Sequence, residues 1–344
     1  MWILKQPTVK ELDSYEQKVM PGLIGRVLGC GDSSIVDALA PLTPKGGRGK
    51  SILKILLRGT VYDSLNESEQ LMGQIIPGYS RAELNDYFKA LHTKKCSRTP
   101  VQQKLITKYQ IKMESLDKVM GYKDVFEDKK TAYEVTDWKE AKVCTYCNRS
   151  YIFTISTGKR YKDKIARPEL DHWYPKSKYP LLALNYYNLI PSCSICNSSV
   201  KGNADFDVTT HIHPYLQKKF NPGFKFRYTP TAPQWEQVTL DVQQATQREL
   251  TMLDAFKIKE VYNCHADLEA KELYELTQRH GDRYVKDLLK LLGDDYGKSE
   301  QEVYRMVFGT ELDARYFGNR PMSKFKHDLL EQMMVLKNGH YLRR

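Results

Sequence analysis

Four cysteines in two Cys-x-x-Cys pairs, Cys144/Cys147 and Cys193/Cys196, constrain this chain more than any other feature. Forty-five residues separate the pairs, so the segment between them must fold back and bring the two knuckles together. The opening residues, MWILKQPTVKELD, lack a basic region followed by a long apolar run, so a cytoplasmic, reducing setting is expected. There, paired Cys-x-x-Cys knuckles read as a tetrahedral structural zinc site rather than as disulfides. Cys30, Cys96 and Cys264 stand apart and are expected to be buried small hydrophobes.

Charge points in the same direction. The 344-residue chain carries +11, and six of those eleven positive charges fall within residues 141–205. That window holds ten Lys/Arg and four acids, flanking the cysteines, and a concentrated basic excess suits a nucleic-acid partner. Twenty-three Tyr, 11 Phe and 4 Trp exclude disorder as the dominant state. The best apolar run, residues 181–190, is too short to span a membrane and carries two Asn.

Hydrophobic periodicity predicts three regions and an α+β fold. Residues 1–135 read as a helical N-terminal domain, with apolar spacing of three and four over 51–57, 80–91 and 100–120. Residues 136–215 form the zinc-bearing core, with strand-like runs at 151–156 and 164–170. Residues 216–344 begin with short strands, 224–228 and 238–242, and continue as a helical C-terminal domain. There, Leu250, Leu253, Phe256, Val261, Leu268, Leu273 and Leu276 mark one apolar stripe, followed by helices at 284–292 and 324–336.

Residues 45–51, KGGRGKS, imitate a phosphate-cradling loop. Such a loop works when a strand delivers it. No convincing strand precedes it, and Pro44 stands where the pattern wants Gly, so a basic surface loop is the expectation.

The chemistry lies between and beside the cysteines. Asp171 and Asn197 offer hard oxygen ligands suited to Mg²⁺ or Mn²⁺, whereas the thiolates suit zinc. His172 can take a proton from water near pH 7. Asp171 and His172 would face opposite sides of a regular strand, so both serve one site only where the strand ends. A helix starting near Cys193 would turn Cys196 to the zinc and Asn197 to a cleft, with Lys201 one turn on, placed to hold a phosphate.

These residues resemble the HNH endonuclease motif, the ββα-metal core in its zinc-stapled, four-cysteine form. The resemblance implies that His172 is the general base, that Asp171 and Asn197 bind a catalytic Mg²⁺ or Mn²⁺, and that Asn188 constrains the loop orienting the histidine. It implies zinc on Cys144, Cys147, Cys193 and Cys196. One departure stands out: three residues rather than the usual two separate Asn197 from Lys201.

Over the whole chain the pattern is similar to Septu-type and retron-associated HNH effectors of bacterial anti-phage systems. His213-Pro214-Tyr215 and Arg320-Pro321-Met322-Ser323-Lys324 match elements found in them. That resemblance implies a DNA-cutting antiviral defence enzyme working with an SMC-like or ABC-type ATPase partner. The competing reading is a zinc-dependent module that binds nucleic acid without cutting it, which would leave Asp171, His172 and Asn197 without a reason. Arg149, Arg160, Lys176 and Lys178 are expected to contact the nucleic-acid backbone, while Tyr174, Tyr179, Tyr186 and Tyr187 are expected to pack the core.

Overall fold

A computed structural model describes residues 1–39, 52–127, 130–157, 162–230, 237–294, 299–334, 336–337 and 340–341. The fold is α+β: mostly helical, with small two-stranded antiparallel sheets. Among the described residues no helix is long and apolar enough to cross a membrane.

The helices begin and end where backbone chemistry requires. Thr8 and Glu11 form a capping box for α1 (Val9–Leu28). After α2 (Ser33–Leu39), α3 (Ile52–Arg58), α4 (Val61–Ile75) and α5 (Arg81–His92) comes α6, Pro100–Met120. Its Thr99/Gln102 box and Pro100 start it, and left-handed Gly121 stops it. A Cβ at Gly121 would lie 2.5 Å from Nε of Arg26, which itself donates to the Val119 carbonyl at the end of α6. Two short helices, α7 (Tyr122–Glu127) and α8 (Lys130–Trp138), lead into the core.

Strand β1 (Ile155–Thr157) pairs with β2 (Asp163–Ala166), and β3 (Glu169–His172) pairs with β4 (Leu189–Ser192). The predicted strand over 164–170 is therefore divided: Arg167-Pro168 separates β2 from β3, because proline offers no N–H to a ladder. A π-helical segment, Ile195–Lys201, follows β4 and completes a ββα unit. Further on, β5 (Lys225–Thr229) pairs with β6 (Gln237–Asp241). The stripe expected from Leu250 to Leu276 is interrupted. α9 (Gln247–Ala255) and α10 (Ile258–Asn263) meet at left-handed Lys257, and a π-turn, Ala266–Ala270, precedes α11 (Lys271–Asp294). Two more helices follow, α12 (Glu300–Phe308) and α13 (Ser323–Met333), the latter ending sooner than its apolar pattern suggested, and a short pair, β7 (Leu336–Lys337) with β8 (His340–Tyr341), comes after them.

One continuous buried apolar cluster links residues of all three regions. Within it, Tyr15 of α1 donates to the Leu184 carbonyl at 2.7 Å, and Asn185 donates to the Leu56 carbonyl at the end of α3 at 2.9 Å. Arg81 of α5 lies over the Tyr179 ring and donates to the Lys178 carbonyl. The N-terminal helices thus hold the loop between β3 and β4.

Candidate functional site

The two knuckles meet. Sγ atoms of Cys144, Cys147, Cys193 and Cys196 lie within 4.8 Å of one another, and three of the four residues are buried. A tetrahedral Zn–S site with ~2.3 Å bonds places its sulfurs about 3.8 Å apart, so the cluster fits zinc. Local hydrogen bonds shape the first knuckle: Cys144 N–H donates to the Ser150 carbonyl, and Asn148 N–H donates to that of Cys144. Asn148 adopts positive φ, which asparagine tolerates better than most residues. Its amide donates to the Phe317 carbonyl, while its own carbonyl accepts from Met322 N–H. The isolated cysteines differ from expectation, since Cys96 and Cys264 are exposed and Cys30 is half-buried. Each sits at a surface turn or helix end rather than in the cluster.

Beside the cysteine cluster a cleft of about 300 Å³ is lined by Tyr122, Arg167, Glu169, Asp171, His172, Lys176 and Asn197, among others. The predicted site residues Asp171, His172 and Asn197 all reach it. Adjacent residues share it because His172 is the last residue of β3, where the alternation of faces ends.

His172 Nε2 lies 3.0 Å from the Ala183 carbonyl oxygen. A carbonyl can only accept, so Nε2 carries the proton and Nδ1 keeps the lone pair. Burial, with the positive Lys176 and Lys201 nearby, pushes the imidazole down to about 3 against the opposing pull of Ala183. The ring is therefore neutral through the physiological range.

No hydrogen bond joins the side chains of Asn188 and His172. Asn188 is buried and pins the loop instead, accepting from Tyr174 N–H at 2.7 Å and donating to the carbonyls of Tyr174 and Leu182. Leu182 precedes the residue whose carbonyl holds His172, so Asn188 positions the imidazole through the backbone.

Asp171 is 3% exposed and fully engaged. One carboxylate oxygen accepts from Tyr146 OH and the other from Lys201 Nζ at 3.0 Å. Burial pushes its carboxyl up, while Lys201 and Tyr146 pull it back toward the ionised form. Lys201 is itself 1% exposed and also donates to the His172 carbonyl at 2.7 Å. The expectation that Lys201 waits for a phosphate is therefore corrected: its charge is committed to Asp171. The extra residue before it is absorbed by the π-helix, whose wider turn, closed by Gly202 N–H on the Asn197 carbonyl, still brings Lys201 onto β3.

Asn197 donates to Glu169 at 2.8 Å, joined there by Ser198. Glu169, Asp171 and Asn197 thus bring three oxygen-bearing side chains to one cleft. Sequence reasoning missed Glu169, Tyr146 and Tyr122 as site residues. For Glu169 the signal was its place in the same short strand, whereas Tyr122 arrives from a distant helix and left none. The Tyr122 ring meets His172 edge-on at 4.4 Å between centroids.

Other expectations sort simply. His211 stacks on Phe206 at 4.1 Å and His213 packs on Trp173, so both serve packing. Tyr174, Tyr179 and Tyr186 are buried. Lys178 is paired with Asp205, and Lys176 bonds Asp117 at 3.5 Å while lining the cleft. Arg160 and residues 45–51 lie outside the described residues; the element before the latter, α2, is a helix and not a strand.

No family model matches the chain, and no solved structure matches it. It is similar to the Septu protein PtuB of Bacillus thuringiensis, 38% identical over 60 residues. That match spans 17% of this chain and 23% of that protein.

Proposed function

We propose that this chain is a zinc-stapled HNH endonuclease that hydrolyses phosphodiester bonds of DNA as the effector of a bacterial anti-phage system. One observation carries the reading: a neutral, carbonyl-anchored His172 shares a cleft with Glu169, Asp171 and Asn197 beside a cluster of four cysteines. A binding module has no use for a histidine held in one tautomer next to buried carboxylate chemistry.

The chain's own groups divide the work. Nδ1 of His172 takes the proton of the attacking water, since Nε2 is committed to Ala183. Asn188 fixes the loop that holds that geometry. Lys201 draws Asp171 toward the ionised form against burial, which pushes its carboxyl up. Arg167 and Lys176, at the cleft wall, offer positive charge to the phosphates on either side of the cut. Mg²⁺ or Mn²⁺, held by Asp171 and Asn197 with Glu169 at hand, would stabilise negative charge on the scissile phosphate and the leaving oxygen. The products are a 5′ phosphate and a 3′ hydroxyl, as the family resemblance implies.

The defence role is supported by the similarity to the Septu protein PtuB, a match that is short relative to both chains, and an SMC-like or ABC-type ATPase partner is what the sequence resemblance implies. Purified protein incubated with plasmid DNA tests the activity. Cutting that appears only with added Mg²⁺ or Mn²⁺ is expected, and no cutting with either ion, partner present or absent, contradicts it.

A further inference from the structure

Between the zinc knuckle and the strand bearing Asp171 and His172 lie residues 151–157 and 162–166, an arm that the mechanism above does not use. It leaves the first knuckle at Tyr151, which bridges Val143, and returns through β1 and β2 into Arg167, a residue of the cleft wall. Along its outgoing strand the side chains alternate. Ile152 is buried, and Thr154 is half-buried with its hydroxyl bonded to Thr136. Tyr151, Phe153 and Ile155 face outward, exposed by 51%, 45% and 43%. Ile165, on the returning strand, is 61% exposed. The rings of Tyr151 and Phe153 stack on one another, centroids 4.7 Å apart and planes tilted by 21°. Large apolar side chains lined up on a surface ladder usually mark an interaction site.

The rim of this ladder selects its occupant. Among the described residues, Arg149, Lys162, Lys164 and Arg167 neighbour it along the chain, against one acid, Asp163, which accepts from the Thr157 hydroxyl. An apolar stack edged by cations matches a polyanion that carries flat apolar rings. The arm also runs directly into the cleft, since only Arg167 and Pro168 separate β2 from the strand bearing Glu169, Asp171 and His172. Resting on the nuclease reading of that cleft, we propose that Tyr151 and Phe153 form a stacking platform for unpaired nucleotides of the strand being cut. Paired bases hide their faces inside the duplex, so only a flap, bubble or single strand can use such a platform. The substrate class this implies is DNA with an unpaired stretch next to the scissile phosphate.

The test uses the full-length, zinc-loaded chain carrying His172→Ala, so that DNA is held and not cut. Fluorescence anisotropy compares a short single strand with the same sequence as duplex. Base-on-aromatic stacking corresponds to roughly 5- to 150-fold per base. Tyr151→Ala with Phe153→Ala should therefore weaken single-strand binding at least about tenfold and leave duplex binding nearly unchanged. Tyr151→Trp with Phe153→Trp should retain single-strand affinity, and 2-aminopurine in the strand should be quenched by the parent and not by the alanine variant. Equal zinc content in all variants certifies the fold. Unchanged single-strand binding, or an equal loss for strand and duplex, overturns the platform. So does an alanine variant that binds DNA normally and instead loses a co-expressed partner protein. These outcomes are separate from the nuclease reading, which stands or falls on metal-dependent cutting by the unmodified protein.

Discussion

Lys201 and Asp171 form an ion pair almost wholly removed from water, and its value lies in what breaking it would leave behind. Truncating one member of such a pair strands a buried charge, which costs about 3–5 kcal/mol. Lys201→Met should therefore lower thermal stability by that order, and adding Asp171→Asn should recover most of the loss without restoring cutting. A melting curve and a cleavage assay on both variants check it; undiminished stability of the single variant would deny the pair its role. At this scale the sequence was legible where chemistry is carried by the residue itself. Asp171, His172, Asn188 and Asn197 stand out by type and spacing, and the fold brings three of them to one cleft and the fourth to its loop. Tyr146 and Tyr122 do not, because a tyrosine reveals its purpose only through what the fold sets against it.

Among elements, the segment Ile195–Lys201 is the one that ties the cysteine cluster to the cleft. It carries Cys196 of that cluster and the two side chains that reach β3, Asn197 and Lys201. Zinc binding is worth on the order of 10–16 kcal/mol in small modules. Cys196→Ser should thus abolish stoichiometric zinc and unfold the ββα unit instead of merely slowing catalysis. Metal analysis with circular dichroism would register both losses, and a folded, zinc-free, active variant would refute the staple. Element boundaries were readable where capping residues stand in the chain, as in α6 with its Thr99, Pro100 and Gly121. They were not readable where the interruption is conformational. Nothing in the apolar stripe from Leu250 to Leu276 foretells a left-handed Lys257 or a π-turn at Ala266–Ala270.

Over the whole molecule, the helices flanking the core are fastened to the site and not only to each other. Tyr15, Leu56 and Arg81 grip the loop carrying Ala183, and Tyr122 rests on His172. On the other side, Tyr262 donates to the Cys147 carbonyl, and Asn148 clasps the segment before α13. A chain starting at residue 136 would uncover Leu181, Leu184 and Tyr186, all buried in the full molecule. That fragment should be insoluble or fail to retain zinc, which expression and metal analysis would reveal; a soluble, zinc-loaded, cutting fragment would show the helices to be dispensable. That they wall the loop carrying Ala183 was hidden, since contacts between residues 50 to 169 positions apart leave no local pattern.

The central claim is that His172, anchored through Nε2 on Ala183, is the base of a metal-dependent nuclease. The most direct measurement is the DNA cleavage rate of His172→Ala against the unmodified protein at equal zinc content and equal Mg²⁺. Loss of a general base costs about 10²–10⁴-fold, so the account predicts a fall of that size with zinc content and DNA affinity preserved. Cleavage by the variant at near the original rate would contradict it.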